Sequence, residues 1–278
     1  MKTKIFFITM LSVFFSTMLY SQINYFNFYR PYQVTLCCPI NVYGLGIEAN
    51  YFLINSETAK LDIPISLYWG LVDSLEFGFK VSAATLNYKT SNERGLTDIL
   101  IGVKYNFLSP VKKKIYENSS NVNPDSLPNI SSEFCLSLPI GDYKKGFGTG
   151  AVSFVFNWLL EKDIVLRSES VFNAFFNLGY RINTENGDNY LFGNELFFNL
   201  GSYFDLQEKM VLSFGIKSIN HSANKLSGQK ILGSEYTESY LFTGLSYDLG
   251  IYQQFFTSIS FGIDERANNL IFNIGMNY

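Results

Sequence analysis

The last stretch of the chain limits its fold more than any other. Counting back from Tyr278, every second residue is apolar: Met276, Ile274, Phe272 and Leu270. Between them stand Asn277, Gly275, Asn273, Ile271 and Asn269, mostly small or polar. Strict alternation puts the two sets on opposite faces of an extended strand. Such a strand, apolar on one face up to a final aromatic residue, suits a membrane barrel, whose last strand pairs with its first and leaves no edge. The rival is the terminal strand of a soluble sandwich.

The same period recurs upstream and decides between them. Segments near 46–53, 61–70, 75–84, 97–108, 131–138, 149–159, 164–180, 190–204, 210–220, 237–249, 255–263 and 270–278 alternate between turn signals. They predict an all-β fold, a transmembrane antiparallel up-and-down β-barrel of about 12 strands. Pro64 counts against the second segment, because proline cannot donate to a ladder. Links 71–74, 160–163, 205–209 and 250–253 are short, whereas 87–96, 139–148, 181–189 and 221–236 are longer and more polar. Short periplasmic turns opposite long outer loops are the expected asymmetry. The exception is 109–130, which carries Lys112, Lys113 and Lys114 and reads as a periplasmic excursion. The glycine-rich 146–150 lacks the Lys and the helix of a phosphate loop, so it reads as a hairpin loop.

Export is written at the amino end. Met1-Lys2-Thr3-Lys4 precedes an apolar run over 5–20 and then Ser21-Gln22, the layout of a signal peptide. The expected organisation is a signal peptide over 1–21, a periplasmic segment over 22–43 and an outer-membrane barrel over 44–278. The chain has 27 Phe and 19 Tyr. Yet no segment after the leader reaches the roughly 20 unbroken apolar residues of a membrane helix. Apolar content is therefore spread by alternation, which places the protein in the outer membrane of a Gram-negative bacterium. A formal net charge of -3 excludes a basic nucleic-acid footprint. Cys37, Cys38 and Cys135 form no CxxC spacing, and His221 is the one histidine. No metal or cofactor is expected, and the thiols read as incidental.

Alternation also sorts the charged residues. Glu48, Asp62, Glu76, Lys80, Asp98, Lys104, Glu133, Arg167, Glu169, Glu195, Lys217 and Asp248 are the candidates for the lumen face. Trp69, Trp158 and Tyr278 are candidates for the aromatic girdle at the membrane interface. The partners so implied are outer-membrane lipid, the barrel-assembly machinery through the last strand, and a small solute.

Three motifs add a resemblance. Tyr68-Trp69-Gly70-Leu71-Val72-Asp73-Ser74-Leu75-Glu76, then 95–105 beginning Gly95-Leu96-Thr97-Asp98, then Leu138-Pro139-Ile140-Gly141-Asp142, occur in order. They resemble the outer-membrane family tied to the meta-pathway of phenol degradation. That resemblance implies transport of aromatic or other hydrophobic compounds; Asp98 and Asp142 coincide with its motifs and are read here as loop organisers. The expected function is passage of small solutes, aromatic or hydrophobic ones among them. The alternatives are a structural or adhesive surface barrel and, less well supplied, a barrel lipase built on Asn220-His221-Ser222. Adjacent strand residues face opposite sides, which argues against that triplet, and no enzyme is expected.

Overall fold

The computed structural model describes residues 43–72, 74–108, 128–166, 170–207, 209–249 and 253–277. The strands, in order, are β1 (Tyr43–Leu53), β2 (Thr58–Val72), β3 (Leu75–Tyr88), β4 (Asn92–Leu96), β5 (Ile99–Leu108) and β6 (Asn129–Leu138). There follow β7 (Ser153–Leu166), β8 (Ser170–Asn183), β9 (Tyr190–Leu191), β10 (Glu195–Gln207) and β11 (Met210–His221). The last are β12 (Lys225–Leu226), β13 (Gln229–Lys230), β14 (Tyr236–Asp248), β15 (Gln254–Gly262) and β16 (Leu270–Asn277).

Neighbouring strands pair antiparallel in sequence order, and β1 pairs with both β2 and β16. The sheet therefore closes on itself. With β4 and β5 taken as one interrupted strand, the ring holds twelve strands. Closure is set by the final alternation: Ile274 lies opposite Ala49, Asn273 opposite Asn50 and Phe272 opposite Tyr51. Like faces thus meet like faces at the seam. The outer wall is apolar, with Ile47, Leu67, Phe107, Trp158, Leu200 and Leu241 all exposed. A water-facing surface of this kind is not tolerated, whereas a lipid-facing one requires it.

Several boundaries move. The expected turn at 160–163 does not exist: β7 runs on to Leu166, paired with β8 as far as Leu166 opposite Ser170. Its charged residues looked like a turn but obey the strand period, with Glu161 buried and Leu160 exposed. The expected loop over 87–96 is shorter, because 92–96 continue the wall as β4 against β3. Pro64 lies inside β2, and the β1–β2 ladder is interrupted beside it, between Ile47 opposite Ile65 and Asn50 opposite Asp62. On its other side β2 stays paired with β3, Pro64 opposite Ser82. The first strand starts at Tyr43, and 1–21, 22–42, Cys37, Cys38 and Lys112 to Lys114 lie outside the described residues.

The connections 139–152, 184–194 and 222–235 gather at one end, hereafter the loop end; the other end has short turns apart from the link between β5 and β6. At the loop end β9, β12 and β13 form a small separate sheet. It ties 184–194 to 222–235, reinforced by Ser227 N donating to Asn189 O at 2.7 Å and Gly193 N to Asn224 Oδ1 at 2.7 Å.

Candidate functional site

The inward set of the alternation lines one enclosed surface, and cross-strand register decides which of its members meet. Glu76, Lys104, Glu133 and Asn157 stand opposite one another across β3, β5, β6 and β7. Lys104 Nζ lies 3.5 Å from Glu76 Oε1, and Asn157 Nδ2 donates to Glu133 Oε2 at 3.0 Å. Both Glu76 and Lys104 are wholly buried. Such charges persist only where countercharges and hydrogen bonds replace water. A second group joins Lys80 to Glu48 at 3.7 Å, with Asn273 Nδ2 donating to Asn50 and, at 3.4 Å, to Glu48. Asp62, opposite Asn50, stands half-buried beside them.

A third group sits at the loop end. Glu195 is opposite both Arg181 and His221. Arg181 Nη1 is 3.3 Å from Glu195 Oε2. The His221 ring lies between Glu195, 3.5 Å from Nδ1, and Glu238, 3.4 Å from Nε2, and stacks on Tyr236 at 4.1 Å. Tyr240 donates to Glu238 at 2.7 Å, and Lys217 Nζ sits 5.1 Å from the centre of the Tyr240 ring. Arg181, Glu195, His221 and Glu238 keep 11–17% of their side-chain surface exposed, in contrast to the buried ladder. Asn220 and Ser222 are exposed, so the triplet does not converge around His221. Arg181 and His221 fell in the segments 181–189 and 221–236 that the sequence reading gave to loops, and Glu238, inside the expected strand 237–249, was not singled out. Glu161, which accepts from Asn173 Nδ2 at 3.0 Å and from Tyr203, escaped with the misplaced turn.

Two of the expected lumen residues are placed differently. Asp98 falls at a break in the wall, where the register against β3 shifts between Lys80 opposite Leu100 and Ala83 opposite Leu96. Its carboxylate accepts from Gly141 N at 3.1 Å, from Thr149 N at 3.0 Å and from Thr149 Oγ1 at 3.4 Å. It is a loop anchor because the shift turns it out of the strand's alternation. Asp248 is exposed at the turn end, where β14 ends, and accepts from Gln254 Nε2 at 3.2 Å. Arg167, Glu169 and Tyr278 lie outside the described residues. Trp69 stacks on Tyr43 at 5.5 Å on the outer face. Trp158 stacks on Phe107 at 5.9 Å, also outside, and lies within β7 instead of at its end.

The interior is not only polar. Tyr68, Phe175, Phe197, Phe242 and Phe256 are buried on the inner face. Each lies directly opposite a glycine: Gly44, Gly201, Gly179, Gly215 and Gly275 respectively. At Gly201, Gly215 and Gly275 an added Cβ would come 2.5, 2.5 and 2.4 Å from the Cζ of the partner ring, and at Gly44 and Gly179 it would fall on the ring itself, 1.9 Å from its nearest carbon. Each ring therefore lies flat over its glycine. Two apolar patches result, one of Leu159, Phe175, Phe242 and Phe256, the other of Tyr68, Cys135, Val155, Phe197 and Ile219. A wide water-filled lumen would leave such groups wet; here they are shielded.

The family model described as "Putative MetA-pathway of phenol degradation" matches residues 48–278. Among solved structures, the COG4313 outer membrane channel from Pseudomonas putida F1 is similar with a TM-score of 0.69 at 10% identity, covering 87% of this chain and 97% of that one. The NanC porin is similar with a TM-score of 0.51 at 10% identity, covering 84% and 98%. No curated protein matches the sequence.

Proposed function

Since the chain belongs to the phenol-degradation family whose model spans its barrel, we propose that it is an outer-membrane channel for small solutes. It reaches the outer membrane after cleavage of a leader before Gln22, with the turn end in the periplasm and the loop end outside. The observation that carries this reading is the inversion of the wall, apolar outside and charged and aromatic inside. A lipid-facing belt around a polar interior is the architecture of solute passage. The outer membrane channel and porin whose folds it shares support the same reading.

The interior favours a particular kind of solute. Flat aromatic patches offer apolar contact, while the Arg181, Glu195, His221 and Glu238 group offers donors and acceptors at the loop end. Small amphipathic molecules, aromatic ones included, can use both. Among the described residues carboxylates outnumber cationic side chains along the inner face, which favours cations over anions once a path is open. The near-complete burial of that face supports a narrow or gated path in the resting barrel. It equally favours the second reading, a structural barrel that conducts nothing.

Planar-bilayer conductance of the refolded mature chain separates the two. Steps with cation selectivity, together with vesicle swelling in small aromatic solutes, are the expected result. Silence in both assays from a barrel with heat-modifiable gel mobility would select the structural reading. Amino-terminal sequencing of the exported protein should begin at Gln22, and retention of 1–21 would refute the leader.

A further inference from the structure

The three motif segments that carry the family resemblance leave one question open: what holds residues 139–152 where they are. At the loop end β6 stops at Leu138, whereas β3 and its partner β4 reach further. β4 is consequently an edge of the sheet on the β6 side. The 139–152 loop lies against this notch, and the Asp98 carboxylate clasps it at both ends, through Gly141 and Thr149. Gly148 passes so close to that carboxylate that a Cβ there would collide with it. Gly146, at φ +81°, turns the chain through the left-handed region that other residues avoid. The turn sends Phe147 inward.

Phe147 is 2% exposed and packs with Ala84, Leu86 and Ile54. Ala84 and Leu86 are inward residues of β3 within four positions of its loop end. The ring also covers Gly95, where a Cβ would meet its Cδ2 at 2.6 Å. The apolar ring is thus laid over the inner wall of the mouth, and the only charged group clasping the loop backbone at its base is Asp98 among the described residues. Three outer contacts are exposed: Lys145 to Glu93 at 3.4 Å, Lys144 to Asp188 at 3.6 Å, and Tyr143 to Asp188. Half-buried bonds from Thr184 N and Oγ1 to Val152 O, at 3.0 and 2.8 Å, fix the loop where it enters β7, and Asn186 Nδ2 reaches Thr149 O at 3.4 Å. Exposed pairs contribute little, and the Thr184 bonds lie beyond 141–149, so the charge-assisted clasp on that segment is the Asp98 carboxylate.

We propose that the 141–149 loop is a latched lid over the outer mouth, with Phe147 as its stopper and Asp98 as the positioning residue that holds it. Its bearing on which solutes enter rests on the channel reading above; the latch itself does not.

The test uses the full chain carrying Ala84→Cys, refolded into vesicles, with labelling by a small hydrophilic maleimide read peptide by peptide in a mass spectrometer. Labelling of the introduced thiol should be slow in this parent and roughly tenfold faster after Asp98→Asn, the factor that one lost hydrogen bond to a charged group corresponds to. Phe147→Ala should open the same thiol to a similar degree. Amide exchange over 139–152 should rise in Asp98→Asn but not in Phe147→Ala, which keeps the clasp. Gly95→Ala, which displaces the ring without touching Asp98, gives a second route to the same labelling. Equal labelling in parent and variants, all folded by heat-modifiable mobility, would overturn the lid. So would loop amides that loosen in Asp98→Asn while the introduced thiol stays protected. Conductance of the same set reads the passage separately. If the parent conducts and Phe147→Ala conducts identically, the loop does not limit entrance and that half is refuted. If none conducts while labelling responds, the latch stands and the channel reading fails.

Discussion

The pairing of inner-face rings with glycines makes a prediction whose sign is unusual. Gly179 lies directly opposite Phe197, and a Cβ added there would fall on the ring and 2.9 Å from the Phe156 carbonyl oxygen. Removing the ring by Phe197→Ala should cost about 3–5 kcal/mol, the range for a buried aromatic cut to a methyl group. Gly179→Ala should cost about 1–3 kcal/mol, because the ring must leave its place to admit the methyl group. The two costs share one cause and will not add. In the Phe197→Ala background the methyl group enters vacated space, and Gly179→Ala should cost less than about 1 kcal/mol, set by the Phe156 carbonyl contact. The coupling is then on the order of 1–2 kcal/mol, with the double variant more stable than additivity allows. Urea unfolding of the refolded barrel in detergent, followed by the fluorescence of Trp69 and Trp158, measures it. A Gly179→Ala cost that is the same with and without Phe197 would refute the stacked geometry.

Two further predictions test the charged interior and the outer loops. Lys104→Met should destabilise by about 3–5 kcal/mol, because it leaves the buried Glu76 carboxylate short of its cation. Lys104→Met with Glu76→Leu should recover part of that loss in the same unfolding assay; a double variant worse than Lys104→Met alone would refute the pairing. At the loop end, the Tyr143 hydroxyl donates to Asp188, which with nearby Lys144 holds that carboxyl below its ordinary 3.8, while the same bond raises Tyr143 above 10.0. Asp188 therefore supports the contact above pH 3.8 and loses it as pH falls through its lowered value. Tyr143 supports it below pH 10.0 and loses it as pH rises through its raised value. Protection of the 184–189 amides, exchange corrected for its intrinsic dependence on hydroxide, should be flat between those limits and fall outside them, and a step near neutrality would refute the assignment.

Much of this fold is legible in the chain itself, and the reason is local. A strand alternates its faces whatever it pairs with, so Glu48, Glu76, Lys80, Lys104 and Glu133 are sorted from Ile47, Phe77 and Val103 by position alone. The closing strand is legible for the same reason. Boundaries are harder, because a charged run inside a strand, such as Glu161-Lys162-Asp163, has the composition of a turn. Only the ladder of β7 on β8 shows that the period continues through it.

What tertiary structure alone decides is the partner. A slip of two residues between neighbouring strands leaves every face unchanged, so the period cannot choose between registers. Register is what puts Phe197 over Gly179, Lys104 between Glu76 and Glu133, and His221 between two carboxylates. Asp98 is the clearest case. Its place in an alternating segment assigns it to the lumen, but the shift in pairing beside it breaks the alternation. Backbone donors from Gly141 and Thr149, some forty to fifty residues away, then claim its carboxylate. Faces are a property of the local chain. Neighbours belong to the closed sheet, whose hydrogen bonds join residues that no short window of sequence contains.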